Sequence, residues 1–294
     1  MDFMEIKFMK YLITGSNGQL GRALQEEFKN SSDEIILHDV DTLDITDNKQ
    51  VEEILHKAKP NVVFNCAAYT NVDKCEENIE LAYKINALGV QNLAMSCKNI
   101  GAKLVHISTD YVFSGDEKAP RIESDFTAPR TVYGKSKLYG EELLKQFGER
   151  YFIVRTAWLY GDGNNFVRTM LKLSKDHNKL TVVGDQFGSP TNAKDLAKVL
   201  IELSKTEYYG LYHGTCQGSC SWYEFTKKIY EIMGIKNEVI EVTSEEFKRP
   251  APRPNYSILD NFCLRLRGLD RFRPWEEAIK DYLENDKDWQ GDNL

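Results

Sequence analysis

A tyrosine four residues ahead of a lysine, in Tyr133-Gly134-Lys135-Ser136-Lys137, is the arrangement in this chain best suited to moving a proton. On a helix that spacing sets both side chains on one face. A phenol ordinarily titrates at about 10, so proton exchange with a carbonyl or alcohol near neutrality requires a lower value, and an adjacent ammonium lowers it by favouring phenolate. The same spacing recurs at Tyr223 and Lys227, where an amphipathic helix with a half-buried ring explains it equally well. Spacing alone therefore does not choose. What sets Tyr133 apart is Ser108-Thr109-Asp110 upstream, at the end of an apolar run. A hydroxyl there can hold a reacting oxygen beside the phenol.

A second stretch, Thr14-Gly15-Ser16-Asn17-Gly18-Gln19-Leu20-Gly21, lies between an apolar strand (10–14) and a segment with apolar residues at helical spacing, Leu20, Ala23, Leu24 and Phe28. Such a turn aims unpaired N–H groups and the positive end of the helix dipole at whatever sits above it, which suits a diphosphate. The spacing Gly-x-x-Gly-x-x-Gly departs from the usual Gly-x-Gly-x-x-Gly, so in isolation an ordinary glycine-rich turn would serve as well. Asp39 closes the next strand and can accept hydrogen bonds from an adenosine ribose while repelling a 2'-phosphate. NADH is accordingly expected in preference to NADPH. Asp41, Asp44 and Asp47 stand close by, and any one acid of this group could be a turn or cap residue.

The elements that must carry these residues alternate between strand and helix. Strands are expected at 10–14, 34–39, 62–66, 103–108 and 151–154, and helices at 19–28, about 48–57, 81–99 and 132–147. This pattern predicts a doubly wound parallel sheet. Ligands of such sheets lie beyond the carboxyl ends of the strands, which gathers Gly15 to Gly21, Asp39, Asn65 to Thr70 and Ser108 to Asp110 around one crevice. Further helices are expected near 165–175, 193–205, 222–233 and 275–283. The dinucleotide-binding domain is expected to comprise 1–161 and about 190–217, and a smaller C-terminal α/β substrate lobe about 162–189 and 218–294. The first eight or so residues read as a weakly packed extension.

Composition narrows the function classes. The 294 residues are 28% charged with a net charge of -7 and no basic block, which disfavours nucleic acid and anionic membrane as partners. No apolar run reaches membrane-spanning length and the N-terminus lacks a signal pattern, so a cytoplasmic location is expected. Six cysteines are scattered without metal-ligand spacing, the usage of reduced thiols.

In these motifs the chain resembles the extended short-chain dehydrogenase/reductases, in particular their reductases of 4-keto sugar nucleotides. The resemblance spans nearly the whole chain. It is carried by Gly18-Gln19-Leu20-Gly21, Asn65-Cys66-Ala67-Ala68-Tyr69-Thr70 with Val72-Asp73-Lys74, Ser108 to Phe113, and Tyr133 to Lys137. Arg155-Thr156-Ala157-Trp158, Gly163-Asn164-Asn165-Phe166, Asp185 to Thr191 and Arg253-Pro254 continue it. It implies a Rossmann-like fold, a catalytic set of Thr109, Tyr133 and Lys137, and hydride transfer from NADH or NADPH to C4 of dTDP-4-keto-L-rhamnose as Tyr133 protonates the oxygen. Cofactor contacts are implied for Gly15, Gly18, Gln19, Leu20, Gly21, Asp39, Val40, Asp44, Ile45, Ala67, Ala68 and Tyr69, with Tyr133 and Lys137. Substrate contacts are implied for Thr70, Thr109, Asp110 and Trp158, the last equally explicable as packing. Members of the family form homodimers with Mg2+ at the interface, but no motif here assigns metal ligands. The related dehydratases need an acid-base pair after the Ser-Thr, and Tyr111 following Asp110 is a poor proton shuttle. A regulatory subunit of the same fold, like the beta subunit of methionine adenosyltransferase, would not need an intact catalytic set.

Overall fold

The computed structural model describes residues 8–247 and 249–285. The expected N-terminal extension thus lies outside the described residues except for Phe8, which is exposed. Six parallel strands form the central sheet: β1 (Lys10–Thr14), β2 (Glu34–His38), β3 (Val62–Asn65), β4 (Lys103–Thr109), β5 (Tyr151–Thr156) and, much later in the chain, Gly210–His213. In space the order runs β2, β1, β3, β4, β5, Gly210–His213. The direction of winding reverses between β1 and β3, which is where an open α/β sheet leaves a crevice for a ligand.

The strands are nearly continuous apolar runs because both faces of the sheet are covered. Alternation sends Leu12, Val63, Leu104 and Ile153 to one face, against Val51, Leu55, Val90, Leu93 and Leu144. Those residues come from helices α2 (Asn48–Ala58), α3 (Gly89–Ile100) and α4 (Val132–Phe147). Tyr11, Ile13, Phe64, Val105, Phe152 and Val154 face the other way, against Leu20 and Leu24 of α1 (Gln19–Phe28) and Leu196 and Leu200 of the helix Ala193–Ser204. That second core continues without a break through Phe225, Ile229, Trp275 and Ile279, so the later part of the chain shares a hydrophobic interior with the sheet.

The expected helices at 19–28, 132–147 and 222–233 form with those bounds. The helix expected over 81–99 instead starts at Ile79 and passes through a π-helical turn at Lys84–Leu88 before α3. The sequence pattern also leaves out a parallel pair, Lys179–Val183 with Glu238–Val242, and a small sheet in which Phe187–Gly188 lies between Cys220–Ser221 and Tyr256–Ser257. Among the described residues no helix is long and apolar enough to cross a membrane.

Candidate active site

A cavity of about 800 Å³ opens along the carboxyl ends of the central strands. It is floored by the glycine turn. Gly15 has φ +63°, and a Cβ there would sit 2.7 Å from the Ala67 nitrogen; one on Gly21 would sit 2.4 Å from the Gly15 oxygen. Only glycine allows this fold-back. Helix α1 begins after Gly18 with no side-chain cap, leaving its first N–H groups directed at the cavity. Asp39 braces the turn from the end of β2: Oδ2 accepts from the Asn17 N–H at 2.8 Å and Oδ1 from the Val40 N–H at 2.8 Å. Of the neighbouring acids, Asp47 caps α2 by accepting from Lys49 and Gln50, whereas Asp44 lines the cavity with Asp39.

Gly15, Gly18, Gln19, Leu20, Gly21, Asp39, Val40, Asp44, Ile45, Ala67, Ala68, Thr70, Thr109, Asp110, Tyr133, Lys137 and Trp158 all line this cavity. Tyr69 is the exception among the residues singled out in the sequence. Its N–H and C=O are both held by Asn86, whose Oδ1 accepts at 2.8 Å and whose Nδ2 donates at 3.1 Å. Tyr69 thus fixes the Cys66 to Thr70 loop through its backbone. Asn86 stands in the π-helical turn and is buried, a local irregularity of the kind that concentrates at functional sites.

The catalytic corner is built at the end of β4 and the start of α4. Thr131 caps α4 by accepting from the Gly134 N–H at 3.0 Å, and Gly134 must lack a Cβ because one would lie 2.2 Å from the Tyr111 oxygen. Tyr133 faces the Thr109 hydroxyl, which favours its phenolate, but desolvation prevails and raises the phenol's pKa above its ordinary value. This corrects the expectation that the Lys137 ammonium lowers it. The Lys137 amine instead donates to the Ile107 carbonyl at 2.5 Å and lies 3.4 Å from His106 Nε2. Burial pulls its pKa down to about 8, opposed by Glu141. The spacing predicts the shared face correctly; the direction of the amine depends on acceptors that spacing does not reveal.

Behind Lys137 a buried polar string runs across the strand ends. His106 Nδ1 lies 3.0 Å from Asn65 Nδ2, and Asn65 Oδ1 accepts from the Thr14 hydroxyl at 2.7 Å. Burial first, and then the Lys137 charge, holds the His106 pKa well below its ordinary value, so the ring is neutral. Glu141, one turn beyond Lys137, is buried with Arg155 in a two-pronged pair at 2.8 and 2.7 Å and also accepts from Ser108 at 2.5 Å. Removing either partner would leave a buried charge unpaired.

Trp158 separates this cavity from a second one of about 870 Å³, and Asp110 and Tyr111 border both. Its φ of +46° is rare for a residue with a side chain, and three contacts hold it there. The indole stacks on Trp222 with ring centroids 3.3 Å apart, its Nε1 donates to Ser257 at 3.1 Å, and Gly188 makes room for the ring. The second cavity is walled by Phe166, Met170, Trp222, Arg249 and Arg253. Arg253 is tied to Asp73 at 2.8 Å, with the Ala251 N–H on the same carboxylate. Two separated sequence motifs, Val72-Asp73-Lys74 and Arg253-Pro254, thereby meet in one ion pair across the mouth of the site.

The RmlD substrate binding domain family is matched over residues 9–287. The chain belongs to that family. It is 43% identical over 276 residues to the spore coat polysaccharide biosynthesis protein SpsK of Bacillus subtilis, covering 94% of this chain and 97% of the relative. A dTDP-4-dehydrorhamnose reductase from Clostridium acetobutylicum superposes with a TM-score of 0.93 at 52% identity, over 94% of this chain and 99% of the other. One from Bacillus anthracis, solved in complex with NADP, gives 0.92 at 45% identity over the same shares.

In this RmlD-family chain the residues that sequence reasoning missed stand behind the first cavity or, in the case of Trp222, in the wall of the second. Asn86, His106, Glu141 and Trp222 carry no spacing signal of their own. Each would need the knowledge that a polar or aromatic side chain is buried next to a named site residue. The Tyr223 and Lys227 pair serves as a control: the lysine lies over the tyrosine ring at 5.2 Å on the helix Trp222–Met233, and neither residue lines either cavity.

Proposed function

We propose that this protein is a nicotinamide-dependent reductase of dTDP-4-dehydrorhamnose, transferring hydride to C4 of the 4-keto sugar to give dTDP-L-rhamnose. The observation that carries the reading is the placement of Thr109, Tyr133 and Lys137 at the point where a glycine-floored cavity meets a second, aromatic-walled one. The residues present fit a dinucleotide: the uncapped start of α1 suits its diphosphate, and the buried Gln19 Oε1 and Thr156 Oγ1 lack partners among the described residues. The nicotinamide ring, when bound, supplies the hydride. Tyr133 is the proton donor to the carbonyl oxygen, Thr109 positions that oxygen, and Lys137 binds the nicotinamide ribose. Asp110 and Trp158, with Thr70, contact the sugar nucleotide.

Asp39 supports a preference for NADH, because its carboxylate stands at the end of β2 where a 2'-phosphate would be repelled. The NADP complex of the Bacillus anthracis relative makes NADPH the alternative to be measured. Among the described residues no group of three or more His, Cys, Asp or Glu could hold a metal ion, and Mg2+ stays in the reading as a condition to be varied in the assay, without assigned ligands. The reading further includes action on a free sugar nucleotide in the cytoplasm by a homodimer.

The test is nicotinamide oxidation by the purified protein with dTDP-4-keto-L-rhamnose and either NADH or NADPH, with and without magnesium. Formation of dTDP-L-rhamnose is expected. Cofactor binding without oxidation would move the assignment to another keto sugar nucleotide or to a regulatory role.

A further inference from the structure

We propose that His106 is a positioning residue for Lys137: with Thr14 and Asn65 it forms a buried polar row that seats the lysine amine so that a single N–H is left for the nicotinamide ribose. The inference rests on the reductase reading above and deepens it, because it names what aims the group assigned to that ribose.

The row follows from strand register. In the parallel sheet Thr14 of β1 lies beside Asn65 of β3, and Asn65 beside His106 of β4. Two residues earlier the same strands place Leu12, Val63 and Leu104 in the core of that face, and alternation brings the three polar side chains to the same face at the strand ends. All three are buried. Apolar side chains would pack there without a desolvation cost, whereas polar ones are tolerated only when hydrogen-bonded. The bonds run in one direction, from Thr14 through Asn65 to His106 Nδ1, and the other ring nitrogen, Nε2, meets Lys137 Nζ at 3.4 Å. None of the three lines either cavity, whereas Lys137, at the end of the row, lines the first.

The seat leaves one donor over. With the Asn65 amide N–H directed at Nδ1, a neutral ring carries its proton on Nε2 and offers it to the lone pair of an uncharged amine. Of that amine's two N–H groups, one goes to the Ile107 carbonyl at 2.5 Å. With the amide turned over, the ring donates from Nδ1 and Nε2 accepts from an ammonium, whose second N–H goes to the same carbonyl. In either charge state one N–H remains, and two fixed contacts determine where it points. The lysine stem is flexible, and the carbonyl alone would leave the amine free to turn about a single bond.

Binding calorimetry tests this with two probes: NADH or NADPH, whichever binds tighter, which carries the nicotinamide ribose, and ADP, which lacks it. His106→Phe keeps a ring and removes both nitrogens. We expect it to weaken the dinucleotide by about 10-fold, the worth of one well-made hydrogen bond, and to change ADP by less than about twofold. In a Lys137→Met background the same substitution should leave the dinucleotide within about twofold, since the group it seats is gone. Equal losses for dinucleotide and ADP would show that the row supports the glycine turn beside Thr14, and an undiminished loss in the Lys137→Met background would show that it acts by another route. Either result overturns the proposal. Should His106→Phe fail to fold, Asn65→Leu, which breaks the row one step further from the lysine, takes its place with an expected loss of about fivefold in the same pattern, and the same two results overturn the proposal. Failure of the wild-type protein to bind either dinucleotide would defeat the reductase reading itself, which separates the two failures.

Discussion

The two tyrosine-lysine pairs of this chain share a spacing and differ in nearly everything that spacing cannot encode. Tyr223 and Lys227 lie on the helix Trp222–Met233 with the ammonium resting over the ring, the ring half-buried against the core and the lysine exposed. Tyr133 and Lys137 are enclosed by β4, the Cys66 to Thr70 loop and the polar string behind them, and Lys137 is only 2% exposed. The same four-residue step thus gives a half-buried ring under an exposed lysine in one place and a desolvated pair lining the cavity in the other. Burial, with the acceptors that accompany it, makes the chemistry.

The comparison is broken most directly by removing the two phenols in turn. Tyr133→Phe should lower turnover by about 10²- to 10⁴-fold with cofactor binding retained, because it removes only the hydroxyl proposed as proton donor. Tyr223→Phe should leave steady-state kinetics within about twofold; equal losses in both variants would sink the distinction. The flanking ion pairs sharpen it next. Glu141→Ala strands the buried Arg155 guanidinium and should cost about 3–5 kcal/mol in denaturant unfolding. Glu231→Ala removes an exposed partner of Lys228 one turn along the other helix and should cost no more than a few tenths of a kcal/mol, roughly the value of such pairs.

A third expectation concerns pH. The folded-state pKa of Lys137, about 8, lies below its ordinary 10.5, so between those values the unfolded chain binds more protons than the folded one. Stability should therefore rise with pH across that window. Lys137→Met should lose that rise when thermal unfolding is followed from pH 8 upward, and an unaltered profile would show that the amine is not desolvated. The smallest effect is expected at Asp39, outside both helices. Asp39→Ala should weaken NADH more than NADPH, shifting the ratio of the two Kd values by several-fold, and a constant ratio would remove Asp39 from the ribose.

What the sequence reveals of this site is what a local pattern can encode. The glycine turn, Asp39 at the end of a strand, and Tyr133 on a helix face each rest on a few adjacent residues, and the winding of the sheet brings them together. Glu238–Val242 escapes because its alternation leaves every residue at least partly exposed. The strand Gly210–His213 escapes because its Gly-Leu-Tyr-His lacks the continuous apolar run that marks the equally short Val62–Asn65. His106 is legible as part of a strand and illegible as a partner of Lys137, since the two are joined only when β4 and α4 pack. The orientation of the Lys137 amine fails for the same reason: its acceptor is a main-chain carbonyl, which no side-chain pattern announces.

The π-helical turn at Lys84–Leu88 has a consequence for how this protein can vary in length. Such a turn holds one residue more than the regular helix around it. Deleting a single residue there would yield a more ordinary helix with its flanking turns near their present phase, and the displacement would fall on the residues of the bulge itself. Asn86 would then leave both Tyr69 and Ser136, which it also reaches at 3.1 Å. Insertions and deletions that a lineage could accept on the outer turns of its helices are thus barred from this one, and its residue count should drift more slowly than its composition.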